Sequence, residues 1–456
     1  VTRILFFMAT SSSVGGVETW LDRFCERWAG SEFEVIVGLV RGSESHSPRR
    51  FRDFHPHLQV VEVDGAGLDC HGRVLALMRC IRSVRPDMVF PMGVVEAFEA
   101  TIRCQQAGAT VKLMARTQGN LPAMLADLRA YRNWVQMVIC PGRLAMDMLV
   151  HWGGFQSERM RHVPNGSDRP VHFRVLPERS APLRLGYVGR MTQGDKRSTD
   201  LIRFHQALTA TETPFTLDIV GDGPCFQQIQ SAIGNADNVT LHGALAHAEV
   251  YERVFPRLDV MMLFSTSESF GIVIPEAMMH GVVPVTSEFI GVYSERLNLH
   301  GETGLTFSVG DMQMAAQQIM KLHLDRALLK KLSTNGMKHA QRFTWEACLD
   351  GWGQALREAV AESPVKSPQP FIELSRPTPS RLTRLGMPST VVDLLRRLRR
   401  LFFGTAVPPG GEEWPLFRRH YSEEELREIE MITRRIDQRA KVQHRQDPRQ
   451  GIISTS

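Results

Sequence analysis

The sequence predicts an α/β protein: two Rossmann-like, doubly wound domains facing a cleft, followed by a helical and Pro-rich tail. Three observations carry this reading. Short apolar runs alternate with helical patterns over most of the chain, the signature of parallel sheets with helical crossovers. The alternation stops at a Pro- and Asn-rich bridge and then restarts. A chain of 456 residues also exceeds what one ordinary core supports.

The elements follow in order. Ile4 to Met8 is a strand-like run, and a Ser/Gly loop leads into a helix with Trp20, Leu21, Phe24, Cys25 and Trp28 on helical spacing. "FEVIVGLV" and "LQVVEVD" are the next strands; "VLALMRCIRSVRPDMVF" is a helix ending before Pro86 and then a buried strand. "TVKLMAR" and "MVICP" complete a first domain over 1–165. The linker, 166–182, holds much of "HVPNGSDRP" and "FRVLPERSAP". A second domain, 183–340, then runs through the strands "LRLGYVGR", "FTLDIVG", "NVTLHG", "DVMMLFS" and "VVPVTS". "FTWEACLDGWGQALREAVAE" supplies a closing helix within 341–363, and 364–456 is the tail. Ligands of such folds bind beyond the carboxyl ends of the strands.

Composition excludes several classes. The apolar fraction is 43% and the charged fraction 23%, ordinary for a globular chain. "VTRILFFMAT" is too short an apolar run for a secretory signal, and no stretch is long enough to span a bilayer. The seven cysteines are scattered without a Cys-x-x-Cys pair, so neither a disulfide framework nor a zinc site is expected, and a cytoplasmic setting is. The net charge is +5, but the tail from Pro364 holds 17 Lys/Arg against 11 Asp/Glu. Basicity is therefore local, and nucleic acid is not an expected partner.

The chemistry concentrates in the second domain. In "LDIVGDGP" a buried strand ends at Gly221-Asp222-Gly223, a turn that lets a ligand approach the backbone; many α/β proteins turn this way for packing only. The spacing is not the dinucleotide fingerprint. In "YVGRMTQGDKRSTDLI", Arg190 leaves a strand end and Lys196 precedes a helix. The two cations could hold a diphosphate, one as a fork and one as a point charge; solvated surface charges are the alternative. "SESFGIVIPEAMMHGVVPVTS" sets Glu268 and Glu276 eight residues apart around a strand-to-helix junction. Amides at Phe270-Gly271 suit phosphate oxygens. Glu268 could accept sugar hydroxyls and Glu276 a ribose diol.

These segments, with "VTLHGAL" and "GETGLTF", cover most of Leu183 to Phe307. In order and spacing they resemble the retaining, GT-B-fold glycosyltransferases of family 4. The first half is similar more loosely, through "SVGGVETW" and "HVPNGSD", and "RFTWE" is similar to the family's closing segment, whose last helix returns to the N-terminal domain. The resemblance implies catalytic roles for Arg190, Lys196 and Glu268. It implies donor binding by Gly15, Gly16, Gln118, Gly221, Phe270, Gly271, Ile272 and Glu276, with Asn165 and Gly166 at the hinge. It implies a nucleotide-sugar donor, a glycan or glycolipid acceptor, and no metal or other cofactor; the chain has no Asp-x-Asp. Two positions depart from the family pattern. Gln118, in "MARTQGN", stands where many relatives have a histidine, and Arg197-Ser198 where a glycine often follows the lysine.

In the tail, "TVVDLLRRLRRLFFG" sets Val391, Leu394, Leu395, Leu398, Leu401 and Phe402 against Arg396, Arg397, Arg399 and Arg400. Such a basic amphipathic helix over 390–403 suits peripheral contact with a membrane, or docking on protein. "YSEEELREIEMITRRIDQRAKVQ" is a second helix opened by a Ser422–Glu425 capping box, expected to be solvated or partner-binding. The expected function is transfer of a hexose-type sugar in cell-envelope polysaccharide or lipopolysaccharide assembly. The alternatives are a non-catalytic sugar-nucleotide scaffold and a nucleotide-sugar epimerase on the same fold.

Overall fold

The computed structural model describes residues 1–9, 16–42, 48–66, 68, 70–170, 181–268, 270–365, 385–388, 391–392, 394–395, 398, 414 and 421–446. Gly15, the Pro/Ser-rich tail segments and the four arginines of the basic helix lie outside them. The chain forms two compact units: Val1–Pro141, Ala145–Val163 and Leu349–Ile429 in the first, and Gly142–Leu144, Pro164–Cys348 and Glu430–Ser456 in the second.

The first unit is a seven-stranded parallel sheet. Its strands are β1 (Thr2–Ala9), β2 (Phe33–Arg41), β3 (Val60–Asp64), β4 (Met88–Met92), β5 (Lys112–Arg116), β6 (Val135–Cys140) and β7 (Met160–His162). They lie in the order β3-β2-β1-β4-β5-β6-β7. Ile4, Leu5, Phe6 and Phe7 are fully buried, as expected of a strand covered on both faces. The crossover helices include α1 (Gly16–Trp28), α2 (Pro48–Phe54), α3 (Cys70–Val84), α4 (Glu96–Gln106), α5 (Pro122–Tyr131) and α6 (Arg143–His151). Phe6 stacks on Phe90 at 4.8 Å between centroids and meets Trp20 and Phe24 edge-on. Trp352 closes this cluster at 4.6 Å from Trp20. Each such buried ring is worth about 2–3 kcal/mol of apolar burial.

The tail is anchored on this unit. The Trp414 indole lies so close to Gly65 that a Cβ there would sit 2.0 Å from it, and its Nε1 donates to the Arg41 carbonyl at 3.1 Å.

The second unit is a six-stranded parallel sheet of β8 (Leu183–Val188), β9 (Phe215–Val220), β10 (Val239–Gly243), β11 (Val260–Leu263), β12 (Val283–Ser287) and β13 (Leu305–Phe307). The order is β10-β9-β8-β11-β12-β13. Its helices are α7 (Asp200–Thr209), α8 (Phe226–Ile233), α9 (His247–Glu249), α10 (Val273–Met279), α11 (Val292–Glu295), α12 (Met312–Leu324) and α13 (Arg326–Ala340). Two further helices, α14 (Trp345–Ala361) and α15 (Glu423–Gln446), span the residues of both units. Because β8 and β11 are neighbours although far apart in sequence, their connections leave in opposite directions. That switch point is where a doubly wound sheet opens a crevice for ligand.

The Ser422–Glu425 capping box of α15 is present: the Glu425 N–H donates to the Ser422 hydroxyl at 3.1 Å, and the Ser422 N–H to Glu425 at 2.8 Å. The helix is not simply solvated, however. Ile429, Thr433 and Asp437, each four residues on from the last, are buried, and this face is what docks it.

Candidate functional site

The loop after β8 is built around Asp195. Its carboxylate accepts the Thr192 hydroxyl at 2.7 Å and the Arg190 guanidinium at 3.2 Å. Burial opposes that charge, but the Thr192 hydroxyl and the Lys196 and Arg190 cations outweigh it and hold the carboxyl below its usual range. The Ser198 N–H and hydroxyl both donate to the Thr192 carbonyl, at 3.1 and 3.0 Å, and close the turn. Arg197 has φ of +49°. It takes the left-handed conformation that glycine adopts freely.

Lys196 points from that turn to Glu268. Its ammonium donates to both carboxylate oxygens at 2.7 Å, and Glu268 is 7% exposed. The fully buried Ser265 gives a further bond to Glu268 at 2.5 Å. Thr266 ties the two loops: its N–H donates to the Asp195 carbonyl at 2.8 Å. Two side-chain pairs, Arg190–Asp195 and Lys196–Glu268, thus lie at the β8–β11 switch point, joined through adjacent Asp195 and Lys196 and the Thr266 bond. The Arg190 side chain is 73% exposed.

Gly221 and Gly223 have a packing role. At Gly221 φ is +141°, and a Cβ would lie 1.9 Å from the Gly189 carbonyl; at Gly223 φ is +148°, and a Cβ would meet the Met191 carbonyl at 2.6 Å. Together they seat the backbone that carries Arg190. Beyond Glu268, Phe270 is core, its ring 5.5 Å from that of Phe343. Gly271, with φ of +70°, turns the chain into Ile272 and α10. Glu276 lies inside α10 and is 7% exposed. His247 of α9 meets its carboxylate at 3.0 Å through Nε2. Burial pushes the Glu276 carboxyl above its usual range, against the lowering effect of His247.

In the first unit, Gly16 opens α1, and a Cβ there would meet nothing within 4 Å. Gln118 follows β5, with its N–H on the Met124 sulfur at 3.3 Å. Gly166 presses on Trp345, where a Cβ would fall 2.6 Å from the Trp345 Cα. Sequence reasoning leaves Asp195, Ser265 and Thr266 unassigned. His247 and Glu276 lie 29 residues apart, and no spacing signal links them. Among the described residues no group of three or more His, Cys, Asp or Glu side chains is placed to hold a metal.

The fold defines a class: two Rossmann-like α/β units that match solved GT-B glycosyltransferase structures. A lipopolysaccharide outer core galactosyltransferase in its apo form superposes with a TM-score of 0.63 at 17% identity, over 78% of this chain and 99% of the other. Sucrose-phosphate synthase from Thermosynechococcus elongatus gives 0.64 at 18% identity, over 79% and 100%. Anabaena HepE in complex with UDP-glucose gives 0.61 at 20% identity, over 78% and 100%. Within that class, residues 182–325 match the family described as Glycosyl transferases group 1.

Curated relatives align over parts of the chain. N-acetyl-alpha-D-glucosaminyl L-malate synthase of Bacillus anthracis is 33% identical over 137 residues, 30% of this chain and 35% of that protein. D-inositol 3-phosphate glycosyltransferase of Acidothermus cellulolyticus is 28% identical over 238 residues, 47% and 51%. Lipopolysaccharide 1,6-galactosyltransferase of Salmonella typhimurium is 31% identical over 128 residues, 26% and 35%. The chain therefore spans about half the length, or less, of these relatives.

Proposed function

We propose that this chain is a retaining, metal-independent glycosyltransferase of family 4. It moves a hexose-type sugar from a nucleotide-sugar donor to a hydroxyl of a glycan or glycolipid, in cell-envelope polysaccharide or lipopolysaccharide assembly. The observation that carries the reading is the Lys196 ammonium locked onto the buried Glu268 carboxylate at the sheet's switch point, with Arg190 exposed beside it.

Departure of the sugar leaves charge on a nucleoside diphosphate. Arg190, Lys196 and the Phe270–Gly271 amides sit where that charge develops, and fixed cations and dipoles act without reorganising. Glu268 orients the donor sugar, and Glu276 takes the ribose diol. The acceptor attacks the face the diphosphate leaves, and a phosphate oxygen takes its proton, so no protein base is required of Gln118. The HepE complex and the galactosyltransferase relatives make UDP-hexoses the first donors to test.

Localisation is proposed at the cytoplasmic face of a membrane. Val391, Leu394, Leu395 and Leu398 are each 40–57% exposed, and no described helix is long and apolar enough to cross a bilayer. Gln118 in place of a histidine keeps a second reading, a binding-only scaffold.

Incubation with UDP-glucose, UDP-galactose, UDP-N-acetylglucosamine and GDP-mannose, with and without EDTA, tests the proposal. Slow release of nucleoside diphosphate and free sugar, insensitive to EDTA, is the expected result. Thermal stabilisation by nucleotide without turnover for any acceptor selects the scaffold. Sugar isomerisation without acceptor selects the epimerase, and loss of turnover in EDTA overturns metal independence.

A further inference from the structure

We propose that Asp437, on the C-terminal helix α15, is a positioning residue for the Lys196–Glu268 pair. The inference rests on the donor-site assignment of that pair made above.

Asp437 is 4% exposed, although α15 is one of the most highly charged helices of the chain. One carboxylate oxygen accepts the Gly291 N–H at 3.0 Å; the other accepts the Ser294 N–H at 2.8 Å and its hydroxyl at 2.7 Å. The acid thereby satisfies the backbone at the start of α11 from 146 residues away, the task an adjacent capping side chain usually performs. One turn further along α15, Lys441 reaches both Glu288 oxygens at 3.3 Å and lies 4.6 Å from the Tyr293 ring centroid. The segment from Glu288 to Ser294 is thus held at both ends by the tail.

That segment is wired to the donor loop by backbone bonds. The Ile290 N–H donates to the Thr266 carbonyl at 2.9 Å, and the Glu268 N–H to the Ile290 carbonyl at 3.3 Å. Thr266 in turn donates to Asp195, the residue before Lys196. The path from Asp437 to the Lys196–Glu268 pair therefore runs through Gly291, Ile290 and one isolated bridge, Ser267 with Ile290. A short bridge of this kind has little stability of its own and depends on what fixes its ends. The solved structures above cover 99–100% of their own chains and leave about a fifth of this one unmatched.

The test uses the full chain with Asp437→Ala, Asp437→Asn and Lys441→Ala. Hydrogen exchange should quicken about tenfold or more in Asp437→Ala, at residues 288–295 and also at 266–268. Donor hydrolysis should lose about tenfold in kcat, because Glu268 orients the donor sugar and Lys196 meets the charge on the departing diphosphate. Asp437→Asn should fall between, since its oxygen keeps Ser294 but its amide faces the Gly291 N–H. Lys441→Ala should quicken exchange near Glu288 only. Faster exchange at 288–295 with 266–268 and kcat unchanged overturns the inference; if the alanine variant does not fold, the asparagine variant decides by the same readings. A wild-type chain that turns over none of the four donors overturns the functional reading instead, and the exchange result then judges the coupling by itself.

Discussion

At the central switch of the first sheet, β1 and β4 are surrounded by rings: Phe6, Trp20, Phe24, Phe90 and Trp352 pack there as core. In the second sheet, the loops after β8 and β11 carry two charge pairs, Arg190–Asp195 and Lys196–Glu268, tied by the Thr266 N–H on the Asp195 carbonyl. The topology is shared and the chemistry is not. The family match, 182–325, falls entirely on the second unit. A doubly wound sheet offers a crevice wherever its strand order reverses, and in the second unit fixed charges with partners line the strand ends at that point. Substitutions at equivalent places in the two units should therefore differ in size and in kind.

The largest contrast is in turnover. Lys196→Ala removes a cation that acts where the diphosphate charge grows, so donor hydrolysis should fall about 10²–10³-fold. It also strands a buried carboxylate, which costs stability, so melting must be followed beside the rate. Gln118→Ala in the first unit should cost less than about tenfold. Comparable losses would erase the distinction between the units.

Stability separates the glycines. Gly221→Ala would place a methyl 1.9 Å from the Gly189 carbonyl at a φ of +141°, and should cost about 2–4 kcal/mol. Gly16→Ala has open space around it and stands inside a helix, so stability should change by less than about 1 kcal/mol. If Gly16 brings its amide up to a donor phosphate, the methyl should still weaken nucleotide binding. Denaturant melts beside UDP titrations read both effects.

Next is Glu276→Ala, expected to weaken UDP binding about tenfold, or roughly 1.4 kcal/mol. The wild-type affinity should also depend on pH. Burial raises the Glu276 carboxyl above 4.5, so as pH falls the accepting carboxylate is lost earlier than an ordinary glutamate would be. Affinity should drop on that acid side and the drop should vanish in Glu276→Gln. A pH-independent dissociation constant would remove Glu276 from the ribose site.

The fold was legible because buried parallel strands must be apolar on both faces, and runs such as "LDIVG" and "VMMLF" are visible in one dimension. The site was legible in part. Arg190, Lys196, Glu268 and Glu276 were readable as charges next to strand ends, where solvated residues have no reason to sit in such order. Their partners were not readable. Lys196 meets Glu268 across 72 positions, and His247 meets Glu276 across 29. Asp437 was hidden most thoroughly: one acid in a helix dense with charge reads as solvent-facing, and only the N–H groups of Gly291 and Ser294 show why it is buried. At Gly221 the one-dimensional pattern shows a turn, and the fold adds the Gly189 carbonyl packed against it.

The smallest expected effect sharpens the account of the turn that presents Lys196. Arg197 sits at φ of +49°, a conformation costing a side-chain-bearing residue about 1 kcal/mol relative to glycine. Its guanidinium is paired with Asp200 at 2.7 Å, which offsets part of that cost. Arg197→Gly relieves the strain, loses the pair and gains unfolded-state entropy, so the net change should stay within about 1 kcal/mol. Turnover should survive, because the backbone path is kept. Arg197→Val resists the left-handed region through its branched Cβ, and should displace Lys196 and lower turnover. The turn is then what positions the ammonium, and the arginine is incidental to it. Equal losses in the glycine and valine variants would show the opposite: that the Arg197 guanidinium, and not the turn, holds Lys196 on Glu268.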